Sequence, residues 1–138
     1  DRVRPVSAAP NTPDADLPAA LAAAPDESAW REAAKAGLLA GREVLRQRFE
    51  AGEVADRLVS RCCALADEVV RSAWARCLGD AGGLDLLATG GYGRGELYPQ
   101  SDIDLLVLAE PAVQQARQAD IGRFFSLLWD AGLATSQA

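Results

Sequence analysis

Twelve consecutive residues, 90–101 (GGYGRGELYPQS), hold four glycines and a proline between two short apolar runs, Asp85–Thr89 and Ile103–Ala109. A stretch so rich in glycine cannot continue a helix, so the runs read as two strands joined by a turn-rich loop. The second run, IDLLVLA, is continuous enough to be expected buried on both faces. Upstream the period changes. Between 27 and 79 the apolar residues recur every three or four positions, the spacing of helices. The chain therefore reads as a helical half that buttresses a mixed α/β half.

The helical half divides in two. Asp26 or Ser28 is a suitable N-cap, and Trp30, Ala34, Leu38, Gly41, Leu45 and Phe49 then form one apolar stripe. Ala51–Gly52 breaks it. A second stripe follows through Val54, Leu58, Cys62, Leu65, Val69 and Ala73, ending near Gly79. Glu27–Arg31, Glu53–Arg57 and Asp67–Arg71 have the spacing of exposed ion pairs, while Trp30 and Trp74 are expected in the core. Pro111 opens a third helix with Ile121, Phe124, Phe125 and Leu128, which stops near Gly132. Residues 1–26 hold five of the seven prolines and few large apolar side chains, so they are expected to be a mobile tail. The expected organisation is tail 1–26, helical hairpin 27–79 and α/β part 80–138.

Composition narrows the function. The formal charge is −6, distributed as −2 over residues 1–26, +1 over 27–79 and −5 over 80–138. Phosphate neutralisation needs clustered Lys and Arg, so no nucleic-acid partner is expected. With no histidine, histidine-based catalysis and most zinc sites are excluded within this chain. Cys62, Cys63 and Cys77 have no metal-ligand spacing; they are expected as reduced, helix-packing thiols in a cytoplasmic protein. No apolar run is long enough for a membrane span. The chain begins at Asp1 and contains no Met, so it is expected to be a piece of a longer protein.

The chemistry is expected where the glycines meet two acids. Bare glycine backbone can approach a ligand and turn N–H groups toward phosphate oxygens, and Gly91 is expected to need this freedom. The loop is neither a P-loop nor a Rossmann loop. After Gly90 and Gly95, Glu96 and Leu97 occupy the Lys and Ser/Thr places, and Gly91-x-Gly93 is followed by Glu96 where the third glycine belongs. Asp102 and Asp104 sit at strand period two, so both carboxylates lie on one face. Two adjacent anions at the start of a buried strand are costly unless a cation sits between them, and hard oxygen ligands suit Mg²⁺.

A Gly-Gly turn, ten intervening residues (92–101) and an Asp-x-Asp strand resemble the nucleotidyltransferase superfold. More narrowly, TGGYGRGELYPQSDIDLLVL (89–108) is similar to the N-terminal catalytic domain of bacterial PII uridylyltransferase/uridylyl-removing enzymes. The resemblance extends to Phe49–Gly52 upstream and Leu128–Leu133 downstream. It implies an α+β, polymerase-beta-like fold: an incomplete mixed sheet with helices, preceded by the two-helix hairpin. It further implies Mg²⁺-dependent transfer of UMP from UTP to a tyrosine of the PII signal protein. The phosphates would lie along Gly90, Gly91, Gly93 and Gly95, with Mg²⁺ on Asp102 and Asp104. Arg94 either neutralises a phosphate oxygen or is a solvated loop residue. Ser101 either bonds phosphate or caps the turn. Glu96 either fixes the loop through backbone N–H groups or ligates metal, and Tyr92 and Tyr98 read as packing residues. The superfold's third carboxylate is expected on a strand beyond Ala138, so the chain by itself is expected to be inactive. An adenylyltransferase acting on glutamine synthetase and a non-catalytic nucleotide-sensing module are the alternatives.

Overall fold

The structure, a computed structural model, describes residues 4–6, 16–79, 82–97 and 101–137. Two 24-residue helices make up the hairpin, α2 (Glu27–Glu50) and α3 (Ala55–Leu78). Asp26 caps α2, its carboxylate accepting the Ala29 N–H at 2.8 Å. The break expected at Ala51–Gly52 is a closed C-terminal motif. Gly52 takes φ +93°, its amide donates to Phe49, and the Glu53 amide donates to Arg48. Trp30, Ala34, Leu38 and Leu45 are buried as the stripe requires. Phe49 and Val54 differ, at 65% and 63% exposed, because they flank the reversal where the stripe runs out. Trp30 is fully buried, with its indole N–H donating to Ser72 Oγ at 2.9 Å.

The expectation of a mobile tail over 1–26 is corrected for its described residues. Arg4–Pro5 forms strand β1, and Asp16–Ala23 forms helix α1. Two leucines one helical turn apart suffice to dock α1: Leu17 and Leu21 are both buried against the hairpin. Gly37 in α2 makes room, since a Cβ there would collide with Leu17. Arg76 then donates to the carbonyls of Leu21 (3.3 Å) and Ala24 (2.8 Å) at the helix end. Pro18 is tolerated because it lies in the first turn, where no intrahelical donor is lost.

Strand β2 (Leu84–Thr89), the one-turn helix α4 (Gly90–Gly93) and strand β3 (Ile103–Ala109) follow. The third expected helix is two, α5 (Pro111–Ala116) and α6 (Gln118–Ala131), parted at Arg117. Only α6 carries an apolar stripe; α5 buries nothing. Strand β4 (Thr135–Gln137) comes last. The sheet order is β1-β2-β3-β4, with β3 antiparallel to β2 and parallel to β4. A strand after the helices is thus already present within the chain, and its sequence, Thr-Ser-Gln, contains no carboxylate.

Helices α3 and α6 cover one sheet face, and α2 packs on them from outside. Leu86, Ala88, Ile103 and Leu105 point into a core with Val69, Ala73, Phe124, Leu127 and Leu128. Trp74 is half-buried and packs edge-on against Phe124 at 5.2 Å. The other face is open, so β3 alternates rather than being buried on both sides; Leu108 is 47% exposed. Of the expected ion pairs, Glu27–Arg31 forms at 3.7 Å, whereas Glu53 meets Arg48 and Asp67 meets Arg4. The three cysteines are free and buried, and burial pushes the Cys62 thiol up to about 11. The expected packing role of Tyr98 falls outside the described residues.

Docking of α1 is tested by truncation. Leu21→Ala is expected to lower stability by about 2–5 kcal/mol, the range for deleting a buried leucine side chain. Leu39→Ala, at a position 61% exposed, should change it by about 0.5 kcal/mol or less. Urea denaturation of both variants checks this; equal, small effects would mean that α1 does not dock.

Candidate functional site

The β2–β3 register places Thr89 opposite Asp104. At the end of β2 the backbone enters α4 directly, and Gly90 takes φ +59°. Two constraints coincide at this residue. The left-handed conformation disfavours a side chain, and a Cβ would be driven into the Asp104 carboxylate. Glycine at 90 is therefore what lets the loop backbone lie against the Asp-x-Asp strand. The turn closes on itself through Arg94 N–H to Gly90 O (3.1 Å), Gly95 N–H to Tyr92 O (3.1 Å) and Glu96 N–H to Gly91 O (2.9 Å).

The sequence placed this demand on Gly91. Gly91 has no positive φ, and a Cβ there would meet Glu96 O at 3.4 Å and Arg94 Nη2 at 3.7 Å, both ordinary contacts. The helical turn starts at 90, so the first glycine of the pair makes the left-handed step.

Asp102 is exposed, Ile103 is buried and Asp104 is half-buried. Strand alternation puts the Asp104 carboxylate on the sheet face away from the helices, while Asp102 precedes the strand. Ser101 is exposed just before them. Arg94 Nε donates to Glu96 Oε2 at 3.2 Å, so Glu96 meets the loop through a side chain. Gly93 is buried in α4, and Gly95 follows it with φ +73°.

Tyr92 is 1% exposed, and its hydroxyl donates to Asp67 on α3. Burial pushes this phenol well above its ordinary value, and the Asp67 charge adds to the shift, so it stays a neutral donor. Arg4 of β1 pairs with the same carboxylate at 3.0 Å. Sequence reasoning missed both Arg4 and Asp67. One signal was available: Asp67 lies four residues after Cys63 and three before Val70, both buried, so a carboxylate interrupts an apolar face.

Two carboxylates beside bare backbone can accept a hard divalent cation and bring phosphate oxygens next to it. The donor chemistry fits Mg²⁺ with two protein ligands; among the described residues no group of three His, Cys, Asp or Glu side chains is arranged to hold a metal.

Residues 70–131 match the family described as the nucleotidyltransferase domain, a match that takes in the glycine turn, β3 and α6. Within that class the chain is similar to bifunctional uridylyltransferase/uridylyl-removing enzymes. It is 45% identical over 109 residues to the enzyme of Xanthomonas oryzae, a match covering 79% of this chain and 12% of the relative. The enzyme of Xanthomonas campestris is 46% identical over the same length and shares. That of Stutzerimonas stutzeri is 45% identical over 105 residues, 75% of this chain and 12% of the relative. The chain thus spans about 12% of the length of these curated relatives. No solved structure matches it.

The two glycines are separable. Gly90→Ala is expected to cost about 1–3 kcal/mol through left-handed strain and displacement of Asp104. Gly91→Ala should cost about 1 kcal/mol or less. Adding Asp104→Ala to Gly90→Ala should recover part of the loss, giving a nonzero coupling in a double-mutant cycle measured by denaturant unfolding. Equal costs at 90 and 91 with zero coupling would contradict the contact.

Proposed function

We propose that this chain forms the nucleotide-binding part of an enzyme that transfers UMP from UTP to a tyrosine of the PII signal protein, with release of pyrophosphate. The observation that carries the reading is the contact of Gly90 with Asp104, which sets a bare, turn-forming backbone beside a carboxylate pair. The likeness to relatives named uridylyltransferases supports the choice of UTP and a protein acceptor over other nucleotidyl transfers.

In this reading Asp102 and Asp104 hold Mg²⁺, and Gly90, Gly91, Gly93, Gly95 and Ser101 receive the phosphates. Mg²⁺ bound there would supply positive charge where the −5 balance of residues 80–138 otherwise repels a triphosphate. Arg94 faces the phosphates as a second source of positive charge, held in place by Glu96. The acceptor hydroxyl attacks the α-phosphorus, a new O–P bond forms, the bond from the α-phosphorus to the α–β bridging oxygen breaks so that pyrophosphate leaves with that oxygen, and the phenolic proton passes to solvent. No helix among the described residues is long and apolar enough to cross a membrane. The buried free thiols fit a reducing, cytoplasmic setting.

In the full-length protein, Asp102→Asn and Asp104→Asn are each expected to cut UMP transfer by about a hundredfold or more. Their unfolding midpoints without metal should be unchanged or slightly raised, because removing one of two neighbouring charges relieves repulsion. Transfer of labelled UMP to PII, with unfolding curves in parallel, checks this. Near-unchanged transfer in either variant would remove that carboxylate from the site. Transfer of AMP from ATP in place of UMP would favour the adenylyltransferase alternative.

A further inference from the structure

Arg4 lies outside the matched residues 70–131, yet it is tied to the glycine loop by two direct contacts and, through Asp67 of α3, by a third. Its Nη1 and Nη2 donate to Asp67 Oδ2 and Oδ1, both at 3.0 Å. Nη2 also donates to Tyr92 O at 3.3 Å, the carbonyl that accepts the Gly95 amide. The guanidinium carbon lies 4.9 Å from the centre of the Tyr92 ring. The Tyr92 hydroxyl closes the triangle on Asp67.

The strand that presents Arg4 is itself fastened. Arg4 and Pro5 pair with Ala88 and Leu87 of β2, and the Val6 amide donates to Leu86 O at 3.1 Å. Val6 is buried, and its carbonyl accepts Arg71 Nε at 3.2 Å, while Arg71 is braced on the buried Glu68 at 3.0 Å. A two-point arginine–carboxylate pair has a fixed geometry, and partial burial shields it from solvent. The Arg4 and Asp67 side chains are 31% and 16% exposed.

We propose that Arg4 is a positioning residue for the glycine loop: through Asp67 and Tyr92 it holds the turn that sets Gly90 against Asp104. The expected effect on nucleotide binding rests on the function proposed above; the effect on the loop does not.

The test uses the full-length protein with Arg4→Ala, Arg4→Lys and Tyr92→Phe. Two measurements are made: amide hydrogen exchange, and the dissociation constant of Mg²⁺·UTP. In Arg4→Ala the amides of Arg94, Gly95 and Glu96 are expected to exchange about tenfold faster or more, while those of Leu86 and Val107 in the sheet keep their rates. UTP binding should weaken about tenfold. Arg4→Lys, which keeps the charge and loses the two-point fork, should lie between Arg4→Ala and the parent, as should Tyr92→Phe. Unchanged loop exchange overturns the proposal. So does equal acceleration of loop and sheet, which would mark Arg4 as merely structural; selective loop acceleration with unchanged UTP affinity supports Arg4 as the residue that holds the loop and overturns the loop's part in the nucleotide reading. A parent protein that binds no UTP overturns the nucleotide reading instead, and the exchange rates still decide whether Arg4 holds the loop.

Discussion

The antiparallel pairing of β2 with β3, in register from Leu84↔Ala109 to Thr89↔Asp104, is the constraint on which the other features depend. Side chains alternate along a strand, so this register assigns Leu86, Ala88, Ile103 and Leu105 to the helices and leaves Thr89 and Asp104 on the open face. A slip of one residue would turn the Asp104 carboxylate into a core lined by Phe124 and Leu128 and expel the leucines. The hydrophobic face thereby enforces the placement of the acid. Because Thr89 stands opposite Asp104, the next residue, Gly90, is the one whose backbone meets the carboxylate.

The helical layer keeps that register through burial. α3 and α6 pack together across the sheet, and the Trp74, Phe124 and Phe125 rings stack edge to face, at 5.2 and 4.9 Å. α2 covers them from outside, with Gly41 giving room to Leu65 where a larger side chain would collide. The exposed ion pairs of Arg46 with Glu43 and Glu50 add little by comparison, since solvent and salt screen them.

Charge is handled differently at the two ends of the glycine loop. Toward α3, the Asp67 carboxylate is matched by Arg4 and by the Tyr92 hydroxyl. Toward β3, Asp104 lies against glycine backbone, and Asp102 beside it is exposed. One carboxylate is part of the scaffold, and Asp104 opposite is presented on the open sheet face, with Asp102 exposed just before it. The same loop joins them, so the order of the scaffold end bears on the shape of the other.

Local pattern was enough for the hairpin helices, the break at Gly52, the two strands and the Asp-x-Asp pair. Each is set by interactions within a few residues: a cap, a helical stripe, a glycine, a period of two. The docking of α1 was not legible, because two leucines in a proline- and alanine-rich segment acquire value only once Gly37 opens a seat for them. Nor was the choice of Gly90 over Gly91, since both are glycine and only the direction of the chain leaving β2 separates them. The Asp67–Arg71 spacing was read as a helical pair, but Asp67 turned to Arg4, 63 residues away, and Arg71 turned to Glu68 and Val6. The sequence by itself determined the two hairpin helices, the two central strands and the glycine turn between them, because those preferences are local. Tertiary structure alone decided which charges, glycines and leucines meet, because such contacts depend on where distant segments come to rest.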